Sequence, residues 1–269
     1  MQAPVCRDCF AGTLRGDAMP TGSEEVVHGL PTYVAHPNTG TTPLGTVVLL
    51  TDAFGWKLRN TRALADAYAK RVPCTPPPPA WRKHLTTLSL APTLLRFLFR
   101  TRQAVAHPRV LAFLTALRTA SPSTPVGVAG FCWGGLHAVL LTHDVPQNKV
   151  TVEGAEYPLI ECAFTAHPSL LSFPGHIERV ARPLSVANGD DDQYMGKGKM
   201  QTLVRILEGK NAEVGSEGRH EAVVYPGAKH GFAVRGDRAD PKQRERGEQS
   251  EEQAVRWFQR WFERGEGRA

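Results

Sequence analysis

Short apolar runs alternate along the chain with segments whose apolar residues recur at helical spacing. The clearest run is Thr46–Leu50 (TVVLL), which is almost wholly apolar. Such runs are typical of strands that are buried on both faces of a parallel sheet. Further strands are predicted at Leu30–His36, Pro125–Gly130, Ile160–Ala166, Leu184–Ala187 and Ala222–Tyr225.

Helical periodicity follows several of these runs. Asn60–Arg71 places Leu64, Ala65, Tyr68 and Ala69 on one face, and Gly134–Leu141 and Glu251–Phe262 are also predicted helices. Residues 82–119 are helical in pieces, with breaks near Pro92 and Pro108. Because strands and helices alternate, we predict an α/β fold with a mostly parallel sheet. Residues 1–27 are predicted to be an irregular lead-in, and residues 28–269 a single domain.

Composition and charge narrow the function classes. The chain has 269 residues, 41% of them hydrophobic, which is enough for a substantial core. The net charge of +6 is spread along the sequence, and the densest basic run, 235–246, is interleaved with acidic residues. This pattern predicts a solvated face rather than a nucleic-acid site. No apolar run reaches the roughly 20 residues of a membrane span, and the N-terminus lacks an apolar signal core. We therefore expect a cytoplasmic protein without a membrane partner, as a monomer or homodimer.

The cysteines do not predict a disulfide framework. There are five of them, an odd number, at irregular spacing. Cys6 and Cys9 form a C-x-x-C pair, but a structural zinc site needs a second pair of ligands, and none lies nearby in the sequence. We assign no metal and no cofactor from these residues.

One cysteine stands at a predicted strand-to-helix turn, in the segment Gly130-Phe131-Cys132-Trp133-Gly134. The pattern G-x-C-x-G is the cysteine version of a nucleophile elbow, in which glycines leave room for a sharp turn. The positive end of the following helix favours the thiolate, and the N–H of Trp133 can face a developing oxyanion. A buried structural cysteine is the alternative interpretation.

The expected partners of a nucleophile follow later in the chain, in the order acid and then histidine. Asp190, Asp191 and Asp192 follow a short strand, and of these we favour Asp192 as the acid, although a solvated turn or a helix cap would also explain them. His230 lies after a late strand in the segment KHGF. A neutral imidazole at this position could accept the Cys132 proton.

Together these segments resemble the dienelactone hydrolase family of the α/β-hydrolase fold. The matching segments are LLTDAFGW (49–56), NTRALADAYAKR (60–71), GFCWGG (130–135), AHPSL (166–170), NGDDD (188–192) and KHGF (229–232). They occur in the family's order, and the opening CRDCFAGT is most like the fungal branch.

The resemblance implies a catalytic triad of Cys132, Asp192 and His230, with an oxyanion hole formed by the N–H groups of Trp133 and Ala53. Further site residues are implied by the same resemblance: Asp52 as a modulator of the thiol, and Phe54, Phe131 and Arg235 as substrate-binding residues. The expected substrate is a small ester or lactone. Asp52 departs from relatives that carry Glu at this position, and the offset of Arg235 from His230 differs from that of the bacterial enzymes.

A larger departure lies near residues 72–80. The family has a buried strand there, whereas this chain continues from AKR into VPCTPPPPAW. Prolines lack the N–H that a strand ladder needs, so we expect one family strand to be missing.

We therefore predict a hydrolase that cleaves an ester or lactone through a Cys132 acyl-enzyme. Two alternatives stay open: a catalytically weak α/β-hydrolase-like binding protein, and a thioesterase or acyltransferase on the same fold.

Overall fold

The computed structural model describes residues 19–72, 74, 102–213, 215, 218–235 and 240–266. The strands are β1 (Ser23–Val27), β2 (Leu30–Val34), β3 (Thr46–Leu50), β4 (Val126–Phe131), β5 (Lys149–Val152), β6 (Ala155–Pro158), β7 (Cys162–Ala166), β8 (Leu184–Asp191) and β9 (His220–Lys229). The α-helices are α1 (Arg59–Arg71), α2 (Gln103–Ala120), α3 (Trp133–Leu141), α4 (Gly175–Glu178), α5 (Lys197–Asn211) and α6 (Pro241–Glu266).

The central element is a five-stranded sheet in the order β3–β4–β7–β8–β9, with every neighbouring pair parallel. Helices cover both of its faces. This arrangement confirms the α/β-hydrolase fold class. Because all five strands run in the same direction, their carboxyl ends meet at one edge, where the loops after β3, β4, β7, β8 and β9 lie.

Each face of the sheet has its own apolar core. One core joins the sheet to α2, α3 and α5, with Leu117, Leu136 and Leu203 among its buried side chains. The other core joins the sheet to α1 and α6, with Tyr68 and Trp257 at its centre. The predicted aromatic stripe of the last helix is therefore core packing. The helix itself extends well beyond the predicted residues at both ends.

Three elements differ from the sequence expectations. Ser23–Val27, placed in an irregular lead-in, forms β1 and pairs with β2 as an antiparallel hairpin. A second hairpin, β5–β6, was not expected, because its strands are short and largely polar. Pro108 does not break its helix: α2 runs through it, because the surrounding apolar residues pack on the core.

The two edges of β3 differ in their pairing. One edge forms a full ladder with β4, whereas the other edge, within the described residues, shows a single parallel bridge between Gly45 and Cys74. A groove of about 380 Å³ lies beside β3 and is lined by residues of β2, β3, α1 and α2. The prediction of a missing strand near residues 72–80 falls mostly outside the described part of the chain, as do Cys6, Cys9 and Pro92.

Within the described residues, no helix combines the length and the apolar character that are needed to cross a membrane.

Candidate active site

Cys132 lies on the sharp turn between β4 and α3. Its φ of 52° is in the left-handed region, which costs a non-glycine residue about 1–3 kcal/mol and is typical of functional turns. The two flanking glycines are required by close backbone contacts. A Cβ at Gly134 would lie 2.0 Å from the Leu50 carbonyl oxygen, and a Cβ at Gly130 would lie 2.5 Å from the Gly134 oxygen. The G-x-C-x-G pattern is therefore explained by local sterics.

Asp192 and His230 form a buried pair at the carboxyl ends of β8 and β9. The His230 Nδ1 lies 2.9 Å from Asp192 Oδ2, and neither side chain is exposed. The other carboxylate oxygen of Asp192 accepts the N–H of Tyr194 at 2.8 Å. Because both oxygens of Asp192 are engaged, its orientation toward the imidazole is fixed.

The neighbouring aspartates have different surroundings. Asp190 accepts the N–H of Gly227 through its carboxylate, and Asp191 is exposed. Helix α5 begins after Gly196 without a side-chain cap, so none of the three aspartates caps it. Of the three, Asp192 is the one that contacts His230.

Tyr194 connects this pair to the cysteine. Its side chain packs against Cys132 in a small buried cluster, and its ring centroid lies 4.7 Å from that of His230. Phe54 and Trp133 pack on the same cluster. The structure thus brings Cys132, Asp192 and His230 into one site. Tyr194 is not among the predicted site residues, although it lies two residues after the last of the three aspartates.

Asp52 and Arg235, two further predicted site residues, are paired with each other. Arg235 Nη1 lies 3.1 Å from Asp52 Oδ2, with little exposure on either side chain. Burial raises the pKa of Asp52, and the nearby positive charge of Arg235 opposes that effect. The guanidinium of Arg235 also lies 5.2 Å from the centroid of the Phe54 ring, which places all three residues on one side of the site.

The predicted oxyanion residues lie on adjacent turns. Ala53 is in the turn after β3, and Trp133 is the first residue of α3. The two turns are joined by the N–H of Gly134, which donates to the Thr51 carbonyl at 3.2 Å. Phe131, predicted to bind substrate, is not brought to the site surface: its side chain is buried in the core, because residues of the central strand β4 face inward.

The segment that follows β7 contributes two residues that the sequence analysis did not assign. His167 is fully buried, with its ring centroid 5.1 Å from that of His230, and burial holds its pKa well below the usual range. Ser169 Oγ lies 3.8 Å from Cys132 Sγ. The segment AHPSL begins at the carboxyl end of β7, the neighbour of β4. That position could have indicated that His167 and Ser169 lie near Cys132.

The other described cysteines have different environments. Burial raises the pKa of Cys74 to about 12 and raises that of the fully buried Cys162 well above its usual range. Both are therefore protonated and unreactive at neutral pH. Neither contacts the Asp192–His230 pair, whereas Cys132 is the described thiol that packs with Tyr194 beside this pair.

Comparison with known proteins agrees with this architecture. The family model described as "Dienelactone hydrolase family" matches residues 30–262. The chain belongs to the dienelactone hydrolase family.

Dienelactone hydrolase relatives match nearly the whole chain at low identity. A hydrolase named pyvD from Aspergillus violaceofuscus is 24% identical and covers 97% of this chain and 98% of its own length. A carboxymethylenebutenolidase homolog from Xenopus tropicalis is 25% identical over 90% of this chain and 91% of its own. The solved structure of Thermogutta terrifontis esterase 2 phosphonylated by cyclosarin has a TM-score of 0.59 at 16% identity, covering 91% of this chain and 97% of that one.

Proposed function

We propose that this family member hydrolyses a carboxylic ester or lactone with Cys132 as the nucleophile and His230 and Asp192 as the base and its orienting acid. The observation that carries this proposal is the buried Asp192–His230 pair, which Tyr194 links to the cysteine on the strained turn. A histidine whose Nδ1 is fixed by a carboxylate has its other ring nitrogen available for proton transfer.

The proposed reaction has two stages. Cys132 Sγ attacks the carbonyl carbon while its proton passes to His230, and the resulting oxyanion accepts N–H groups from Trp133 and Ala53. The C–O bond then breaks, and the leaving alkoxide takes the proton from His230. Water attacks the thioester with His230 as base, the C–S bond breaks, His230 returns the proton to the sulfur, and the acid product leaves.

The proposed oxyanion hole is supported by the bond between the two turns. Because the Gly134 N–H is held on the Thr51 carbonyl, the turns that carry Ala53 and Trp133 have a fixed separation. Preorganised donors of this kind stabilise charge that develops in the transition state.

Asp52 and Arg235 are proposed to act at the edge of the site. A substrate carboxylate would compete with Asp52 for the guanidinium, and a released Asp52 carboxylate would then be able to influence the thiol. Phe54, which packs on the Cys132 cluster and lies beside Arg235, would contact the same substrate.

The test is turnover of a panel of small aryl esters, lactones and thioesters by the wild type and by Cys132→Ala. We expect ester turnover in the wild type and at least a roughly thousandfold loss of kcat in Cys132→Ala. Cys162→Ala is the matched control, because it removes a buried thiol outside the site and should retain turnover.

Three results would overturn the proposal. Equal ester turnover by the wild type and Cys132→Ala would exclude the cysteine as nucleophile. An inert wild type, folded and stable, would favour a binding protein, and turnover restricted to thioesters would favour a thioesterase.

A further inference from the structure

The end of β7 and the segment that follows it are hydrogen-bonded to the backbone N–H and to the backbone carbonyl of the proposed nucleophile. The N–H of Cys132 donates to the Ala166 carbonyl at 3.3 Å, and the N–H of Ser169 donates to the Cys132 carbonyl at 3.0 Å. Pro168 packs closely on the start of α3, where a Cβ at Gly135 would lie 2.7 Å from the proline Cβ. Ser169 therefore has a fixed position relative to Cys132, independent of its own side chain.

The Ser169 hydroxyl is placed beside the reacting atom. Its Oγ lies 3.8 Å from Cys132 Sγ, and both residues are almost fully buried. A buried hydroxyl needs a hydrogen-bonding partner, and the sulfur is the partner that the structure gives this one. The hydroxyl can donate only weakly to a neutral thiol, but a hydrogen bond to a thiolate is charge-assisted and stronger.

We propose that Ser169 is a positioning residue that donates its hydroxyl proton in a hydrogen bond to the Cys132 thiolate. This inference rests on the proposed function. The hydroxyl stabilises the ionised sulfur before attack and holds it on the turn, while its own proton stays on oxygen. The thiol proton goes to His230, so Ser169 replaces neither member of the Asp192–His230 pair.

A purely structural role for the hydroxyl would have a different consequence. If Ser169 only filled space or stabilised the segment, its removal would lower the melting temperature and leave the ionisation of Cys132 unchanged. Because the backbone N–H of Ser169 holds the segment in place, Ser169→Ala removes the hydroxyl without removing those bonds.

The matched control is Ser185→Ala. Ser185 is also fully buried, and its hydroxyl bonds Glu221 at 2.9 Å and Gln253 at 2.9 Å. It lies near the start of β8, at the opposite end of the sheet from the site. Its loss should lower the melting temperature without changing the chemistry of Cys132.

The experiment is the pH dependence of Cys132 alkylation by iodoacetamide, followed by peptide mapping, in the wild type and both variants. We expect the alkylation midpoint of Ser169→Ala to move upward by up to about one pH unit, so that alkylation below the midpoint slows by up to about tenfold. The rate at the high-pH plateau should be unchanged, and Ser185→Ala should follow the wild-type profile.

An unchanged midpoint in Ser169→Ala overturns this inference, whatever happens to the melting temperature. Its failure is distinguishable from failure of the proposed function. If Cys132→Ala abolishes ester turnover while Ser169→Ala keeps the wild-type profile, only the role of Ser169 is wrong. If Cys132→Ala retains full turnover, the proposed nucleophile itself is wrong.

Discussion

Strands β3 and β4 lie side by side in the same sheet and have similar apolar sequences, yet their surroundings differ. All six residues of β4 are buried, and the strand has a full partner on each edge. Four of the five residues of β3 are only partly buried, and its outer edge adjoins the groove next to β2. The difference shows that an apolar run predicts a strand but not how completely its neighbours enclose it.

The proposed active site is divided between these two regions. Cys132 and Asp192 follow β4 and β8, which have a partner strand on each edge, whereas His230 follows β9, the edge strand on the far side of the sheet from β3. Asp52 and Ala53 follow β3. The proposed nucleophile and acid therefore follow strands that are paired on both edges, and part of the proposed oxyanion and substrate contacts follow the less enclosed β3.

The largest expected effect is a loss of kcat on substitution of the proposed acid, Asp192, which follows β8. Asp192→Asn should lower kcat by about two to four orders of magnitude, because the amide no longer fixes the His230 tautomer. The exposed Asp191→Asn is the control and should leave kcat near the wild-type value. Steady-state ester hydrolysis measures both; equal activity of the two variants would contradict the assignment of the acid.

The pH dependence of the free energy of unfolding tests whether water reaches the imidazole of His137 on α3. Burial, with a smaller contribution from His107, lowers the pKa of His137 to about 4. Because the unfolded chain takes up this proton near pH 6.5 and the folded chain does not, stability should fall as the pH drops from about 6.5 to about 4. This lowering of the His137 pKa corresponds to a loss of about 3 kcal/mol in the free energy of unfolding.

The variant His137→Phe keeps an aromatic ring against Trp133 and removes the titrating group. Its free energy of unfolding, measured in urea at several pH values, should fall less steeply between pH 6.5 and 4 than that of the wild type. The exposed His36→Gln should keep the wild-type slope. An unchanged slope in His137→Phe would show that His137 is already solvated.

The smallest expected effect is a difference in unfolding free energy between matched substitutions in β3 and β4. Val48 and Val128 are register partners on β3 and β4, but Val128 is fully buried and Val48 only partly. Val128→Ala should lower the free energy of unfolding by about 2–3 kcal/mol, and Val48→Ala by about 1 kcal/mol. Equal losses in urea denaturation would mean that β3 is as enclosed as β4.

Much of the fold could be predicted from the sequence, because strand and helix patterns report local burial. The strand predicted at Pro125–Gly130 is observed as β4 (Val126–Phe131), the predicted sharp turn follows it at Cys132, and KHGF lies at the end of β9 as the pattern indicates. The spacing favours Asp192 among the three aspartates, and Asp192 is the one of them that contacts His230.

The remaining features depend on contacts that a single sequence does not contain. The pairing of Arg235 with Asp52 joins residues 183 positions apart, and neither neighbourhood has a pattern that indicates the other. Ser169 reaches Cys132 only because β7 lies beside β4. Phe131 is buried because β4 is enclosed on both faces of the sheet, which the G-x-C-x-G pattern does not specify.

The central claim is that Cys132 carries the acyl group during turnover, and the most direct test is to trap that intermediate. The wild type would be mixed with 4-nitrophenyl acetate, quenched in acid within the first turnover, digested and mapped by mass spectrometry. The account predicts an acetyl group on the peptide that contains Cys132, and its absence when deacylation is allowed to finish. Ester turnover with the acetyl group on Ser169 or another residue, or on none, would contradict the account.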